Sequence, residues 1–130
     1  MAKNPASDAE DLFIVVSTAG FDSPDRVKSA LMFATLAASA EYKTILFCVQ
    51  GMVDIMVKGA VEKNEVPKPG LPTISQRLAE AIEMGVEIQC CSQTLANKKL
   101  KEEDFIPEVR IAGAMNLITL VSRAKGTLTF

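Results

Sequence analysis

Gly85-Val86-Glu87-Ile88-Gln89-Cys90-Cys91-Ser92 follows a helical pattern and carries an apolar run that ends in two adjacent cysteines. Read as a parallel strand, the run puts its last residues at the carboxyl edge of a sheet, where open α/β folds take their ligands. Neighbouring strand side chains point to opposite faces, so the two cysteines are not equivalent. Cys90 shares a face with Val86 and Ile88 and reads as core; Cys91 shares a face with Glu87 and Gln89 and is the candidate catalytic residue. A disulfide between them is disfavoured, because consecutive Cα atoms lie ~3.8 Å apart, closer than the usual disulfide range.

Outward from this stretch, strand and helix signals alternate. Residues 11–17 and 43–50 are nearly continuous apolar runs, as expected of strands buried on both faces. The first is followed by a loop holding Gly20, and the second ends at Gly51. Ser23-Pro24-Asp25 is a helix start, since Ser accepts from free N–H groups, Pro tolerates the first position and an acid suits the positive dipole end. That helix runs to about residue 40. A second helix is expected over 52–61, with Met52, Ile55 and Met56 buried, and a surface loop over 62–72, where Pro67, Pro69, Gly70 and Pro72 exclude regular structure. An amphipathic helix over 73–84 stops at Gly85. Ser92 is expected to cap a short helix to about residue 97, ahead of the mixed-charge run 98–104. A fourth strand is expected over 109–111, a helix over 113–123 that buries Ala114, Leu117, Ile118 and Val121, and a fifth strand over 127–130. The alternation predicts an α/β fold, a three-layer α/β/α sandwich with a mostly parallel five-stranded sheet. Residues 1–10 read as a flexible leader and 11–130 as a single domain.

Composition narrows the function. Apolar residues at 48% and charged residues at 23% are those of an ordinary globular chain. Lys and Arg number 14 against 16 Asp and Glu, a net charge of −2, so nucleic acid is not an expected partner. No apolar run approaches the roughly 20 residues of a membrane span, and Met1-Ala2-Lys3-Asn4-Pro5 has no signal-peptide core, so a cytoplasmic location is expected. Three cysteines without paired spacing read as reduced thiols. The absence of histidine removes Ser-His and Cys-His pairs and His-ligated zinc, and no metal site is expected. Without a G-x-G-x-x-G or P-loop signature, neither a dinucleotide nor any other cofactor is expected.

What is left is chemistry by thiols, carboxylates, amines, hydroxyls or backbone groups, and among these the thiol of Cys91 is the candidate tested. Free backbone N–H groups at the start of the helix after Cys91 favour an anionic sulfur, which attacks sulfane sulfur and holds it as a persulfide. Gly20, Gly51 and Gly113 each follow a proposed strand and, with Ser92, form a candidate ligand-binding set offering backbone N–H groups to an anion; turn requirements explain the glycines equally well.

Three further segments come in a fixed order: Gly85-Val86-Glu87-Ile88-Gln89-Cys90-Cys91, then Leu100-Lys101-Glu102-Glu103-Asp104-Phe105-Ile106, then Val109-Arg110-Ile111-Ala112-Gly113-Ala114. With these the chain, from about residue 11 to 130, resembles the DsrE/DsrF-like family, which includes YchN-like and TusD-like proteins. The family pattern is a Gly-Val-x-Ile-x-x-Cys strand, a Leu-x-x-Glu-Asp segment and a Gly-Ala helix start. The resemblance implies a homo-oligomer, commonly built on trimers, and a cytoplasmic sulfur carrier or sulfurtransferase. It also implies that sulfur rides on the motif cysteine as persulfide or thiosulfonate, exchanged with donor or acceptor proteins. Cys91 is the residue that falls at that position, and no cysteine follows it. The alternative reading is a non-catalytic oligomeric module that binds a small anion or nucleotide at the same edge with its cysteines merely packed. A third is a redox sensor that forms an intersubunit disulfide at Cys91.

Overall fold

Five parallel strands form the frame of the computed structural model, which describes residues 11–130: β1 (Leu12–Ser17), β2 (Lys43–Cys48), β3 (Glu87–Cys91), β4 (Val109–Ala112) and β5 (Gly126–Thr129). The leader lies outside the described residues. Strand order is β4-β3-β2-β1-β5, and every pairing is parallel, so the sheet is wholly rather than mostly parallel. The strands are spaced by helices α1 (Pro24–Ser39), α2 (Gly51–Ile55), α3 (Ala60–Asn64), α4 (Ile74–Glu83), α5 (Ser92–Lys98) and α6 (Ala114–Arg123). From β1 to β4 the chain steps outward across the sheet, and from β4 it returns over the whole sheet to β5. Parallel crossovers keep one hand. Reversing the direction of travel therefore moves the crossover helix to the other face.

The two cores show this division. On one face Val15, Leu46, Cys48, Ile88, Cys90 and Val109 pack with Val27 and Leu31 of α1, Ile55 of α2, Val61 of α3, Ile74 and Ala81 of α4 and Leu95 of α5. On the other, Leu12, Ile14 and Ile45 meet Leu117, Leu120 and Ala124 at α6. Strands covered on both sides need apolar residues at successive positions, which is why β1 and β2 lack alternation. Fully burying a side chain such as Phe47, Ile14 or Leu31 stabilises the fold by about 1.5–3 kcal/mol.

Three expectations about the helices need correction. The single helix over 52–61 is two five-residue helices, α2 and α3. Between them Gly59 adopts φ +74°, Val57 bridges to Phe105, and the Ile106 N–H donates to the Met56 carbonyl at 3.0 Å. The chain breaks there to hold the segment that leads into β4, while Met52, Ile55 and Met56 stay buried. Because α3 extends through Asn64, the proline-rich loop begins at Glu65 and not at 62. In α6, Ala114, Ile118 and Val121 are exposed, with Met115 at 75% and Ile118 at 60%, and Leu117 is half-buried. The helix lies on the sheet through one stripe, Leu117, Leu120 and Ala124, and its other apolar residues stay exposed.

Candidate functional site

β3 ends where the connections of two neighbouring strands part. The chain leaves β3 into α5, on the face of α1 to α4, and leaves β4 into α6, on the opposite face. Adjacent parallel strands with connections to opposite faces define the topological switch point, where open α/β sheets leave a crevice beyond their carboxyl ends. Cys91, the last residue of β3, is in register with Ala112, the last residue of β4. The motif cysteine therefore stands at the switch point.

Register also fixes which side chains share its face. Ile14, Ile45 and Glu87 stand in register, as do Val16, Phe47, Gln89 and Arg110 one pleat on, so Glu87, Gln89, Cys91 and Arg110 share the α6 face. Cys90 and its register partner Cys48 lie on the other face, both fully buried. Cys91 is 5% exposed. Burial pushes the Cys48 thiol well above the usual thiol range, and the neighbouring Cys90 thiol adds to the shift. A sheet thus separates Cys91 from both other thiols.

Backbone donors cluster at this edge. Cys91 itself is the N-cap residue of α5, in extended conformation, and Ser92 is the first helical residue, which corrects the expectation that Ser92 caps the helix. The strand runs straight into the helix, leaving no separate capping residue. Gly113 is the N-cap of α6, and a Cβ placed on it would lie 3.9 Å from the Ser92 Oγ. Cys91, Ser92 and Gly113 are thereby brought together, beside the starts of two helices. The first-turn N–H groups of a helix have no intrahelical partner.

Gly20 and Gly51 form a different cluster, above β1 and β2. A Cβ on Gly20 would sit 3.0 Å from the Gly51 Cα, and one on Gly51 would sit 2.9 Å from the Gly20 nitrogen. Two backbones in contact account for both glycines. Beside them, Gln50 holds the unusual backbone angles φ 52°, ψ −123°, and its N–H donates to the Thr94 Oγ1 at 3.3 Å, tying the end of β2 to α5. Near the start of α1 is a cavity of about 180 Å³. Its wall includes Lys28, Lys68, Asp25 and Glu65, two charges of each sign, and does not include Cys91.

Several residues at this edge escape sequence reasoning. Gln89 is 7% exposed, and both ends of its amide are engaged: Nε2 donates to the Glu87 Oε2 at 2.6 Å, and Oε1 accepts from the Asn116 Nδ2 at 3.0 Å. Asn116, in the first turn of α6, thereby joins that helix to β3. Alternation along β3 marks Gln89 as facing the same way as Cys91, whereas Arg110 takes that face through the β3–β4 register, and no sequence signal joins Asn116 to Gln89. In the charged run, the Lys98 Nζ pairs with the Asp54 Oδ2 at 3.0 Å, linking α5 to α2. Among the described residues no group of three or more Cys, Asp or Glu is placed to hold a metal, and no helix is long and apolar enough to cross a membrane.

The model of the DsrE/DsrF-like family matches residues 11–130. The uncharacterized protein MJ0989 of Methanocaldococcus jannaschii is 29% identical over 118 residues, 91% of this chain and 98% of its own. Among solved structures, the ychN protein from E. coli superposes with a TM-score of 0.73 at 21% identity, over 93% of this chain and 99% of that one. A protein of unknown function, MTH1491 from Methanobacterium thermoautotrophicum, superposes with a TM-score of 0.60 at 14% identity, over 88% and 96%. At these identities the solved structures speak for the fold.

Proposed function

The chain belongs to the DsrE/DsrF-like family, and from that membership we propose that it is a cytoplasmic sulfur carrier or sulfurtransferase whose Cys91 holds sulfane sulfur. The family is linked to sulfur relay. The observation that carries the reading to a residue is the place of Cys91 at the β3/β4 switch point, beside the starts of α5 and α6. The N–H groups there are donors for the anionic outer sulfur of a persulfide or the oxygens of a thiosulfonate. With Cys48 and Cys90 buried on the far face, sulfur passes from Cys91 to an acceptor outside the chain. The subunit works as a homo-oligomer built on trimers, which covers the exposed Met115, Ile118 and Val121 of α6.

Intact-mass measurement after incubation with thiosulfate or tetrathionate tests this. Wild type gains a sulfur-containing adduct that dithiothreitol removes, and Cys91→Ser gains none. An undiminished adduct in Cys91→Ser sinks the assignment. The 5% exposure of Cys91 favours a second reading, a ligand-binding module in which the thiol only packs. That reading requires slow labelling of Cys91 in the native protein at neutral pH.

A further inference from the structure

We propose that Arg110 is the specificity residue of the Cys91 site, pairing with the anionic end of a sulfur donor of the thiosulfate class. The identity of the donor rests on the sulfur-carrier reading; the placement of the charge does not. β4 is the edge strand, and its register sets Arg110 opposite Gln89 and Ala112 opposite Cys91. Arg110 and Cys91 thus stand on the same face of adjacent strands, offset by one pleat, with Cα atoms about 8 Å apart from the strand spacing and rise. An arginine side chain is long enough to bring its guanidinium across that offset.

On this face Cys91 is only 5% exposed and Asn116 of α6 reaches Gln89, so the exposed group is the one on the edge strand. α6 rests on Leu12, Ile14 and Ile45, of β1 and β2, and Arg110 is exposed. Among the described residues no ion pair or hydrogen bond engages its guanidinium. Glu87, the strand carboxylate one pleat away in the other direction, already accepts from Gln89. A charge on an edge strand also discourages pairing with another chain. That role is met by either sign and on either face, so it leaves unexplained a cation on the face of the thiol. The planar fork of a guanidinium suits oxyanions, to which it gives two parallel N–H bonds.

In the transfer, the Cys91 thiol gives its proton to solvent and its sulfur attacks the outer sulfur of thiosulfate. The new S–S bond forms as the donor's S–S bond breaks, and sulfite leaves with that bond's electron pair. Cys91 becomes a persulfide without any outside oxidant. Arg110 pairs with the oxygens of the group that leaves.

Alkylation of Cys91 by an anionic and a neutral reagent, iodoacetate and iodoacetamide, isolates the charge, because thiol exposure and nucleophilicity cancel in the ratio of the two rates. Arg110→Ala is expected to lower the iodoacetate-to-iodoacetamide ratio by at least about 2.4-fold, as for a unit charge about 8 Å away at the dielectric of water. Arg110→Glu lowers it further, and Arg110→Lys keeps it within about twofold of wild type. Persulfide loading from thiosulfate falls in the same order. A ratio unchanged in both Arg110→Ala and Arg110→Glu overturns the inference, as does undiminished thiosulfate loading in both. A ratio that falls as expected in the variants, with a wild type that never loads sulfur, leaves Arg110 assigned and removes the sulfur-carrier reading instead.

Discussion

Cys48 and Cys90 face each other across β2 and β3, while Cys91, one residue further on, faces the other way. The separation follows from strand alternation alone, which is why it was legible in the sequence. The network around it was not: Gln89 and Asn116 are 27 residues apart, and their hydrogen bond exists because the last crossover returns over the opposite face. The raised thiol of Cys48 has a consequence for stability. Burial and Cys90 keep its proton on in the native state, whereas an unfolded thiol releases it at about pH 8.5. The contribution is therefore full below that value and is lost as pH rises toward the native one. In thermal melts, wild type is expected to hold its midpoint up to about pH 8 and lose stability above it, and Cys48→Ala to show a shallower loss. Equal slopes for the two proteins would contradict this.

At the scale of elements, boundaries set by local chemistry were readable and those set by tertiary contact were not. Ser23, Pro24 and Asp25 open α1 at the expected place, although the Ser23 side chain makes no capping hydrogen bond, and the Thr73 hydroxyl accepts from the Gln76 N–H at 3.0 Å in a reciprocal capping box at the start of α4. Thr73→Ala is expected to cost about 1 kcal/mol in denaturant unfolding. The break between α2 and α3, in contrast, is made by the contact of Val57 with Phe105, 48 positions away and just past the mixed-charge run 98–104. The Gly20 and Gly51 contact is of the same kind. Gly51→Ala drives a methyl group to within 3.0 Å of backbone atoms of Gly20 and Thr18, and is expected to destabilise by about 1–3 kcal/mol. Gln50→Gly, which relieves the positive φ beside it, is expected to stabilise by about 1 kcal/mol. Both are checked by urea titration.

For the whole molecule, α6 is the element whose reading from sequence was half right. Its apolar residues were recognised, but one stripe meets the sheet and another, Met115, Ile118 and Val121, faces outward. A single chain gives no reason for the outer stripe; a second copy does. Sedimentation is expected to show an oligomer for wild type and a smaller species for Ile118→Asp, with helix content retained. A wild-type monomer at micromolar concentration would remove the oligomer from the account. The sulfur chemistry proposed for Cys91 is tested most directly by counting cyanide-labile sulfur after exposure to thiosulfate and desalting. The account expects a single labile sulfur per chain, found on Cys91 by fragmentation and absent from Cys91→Ser. No labile sulfur in wild type, or the same amount in Cys91→Ser, would contradict it.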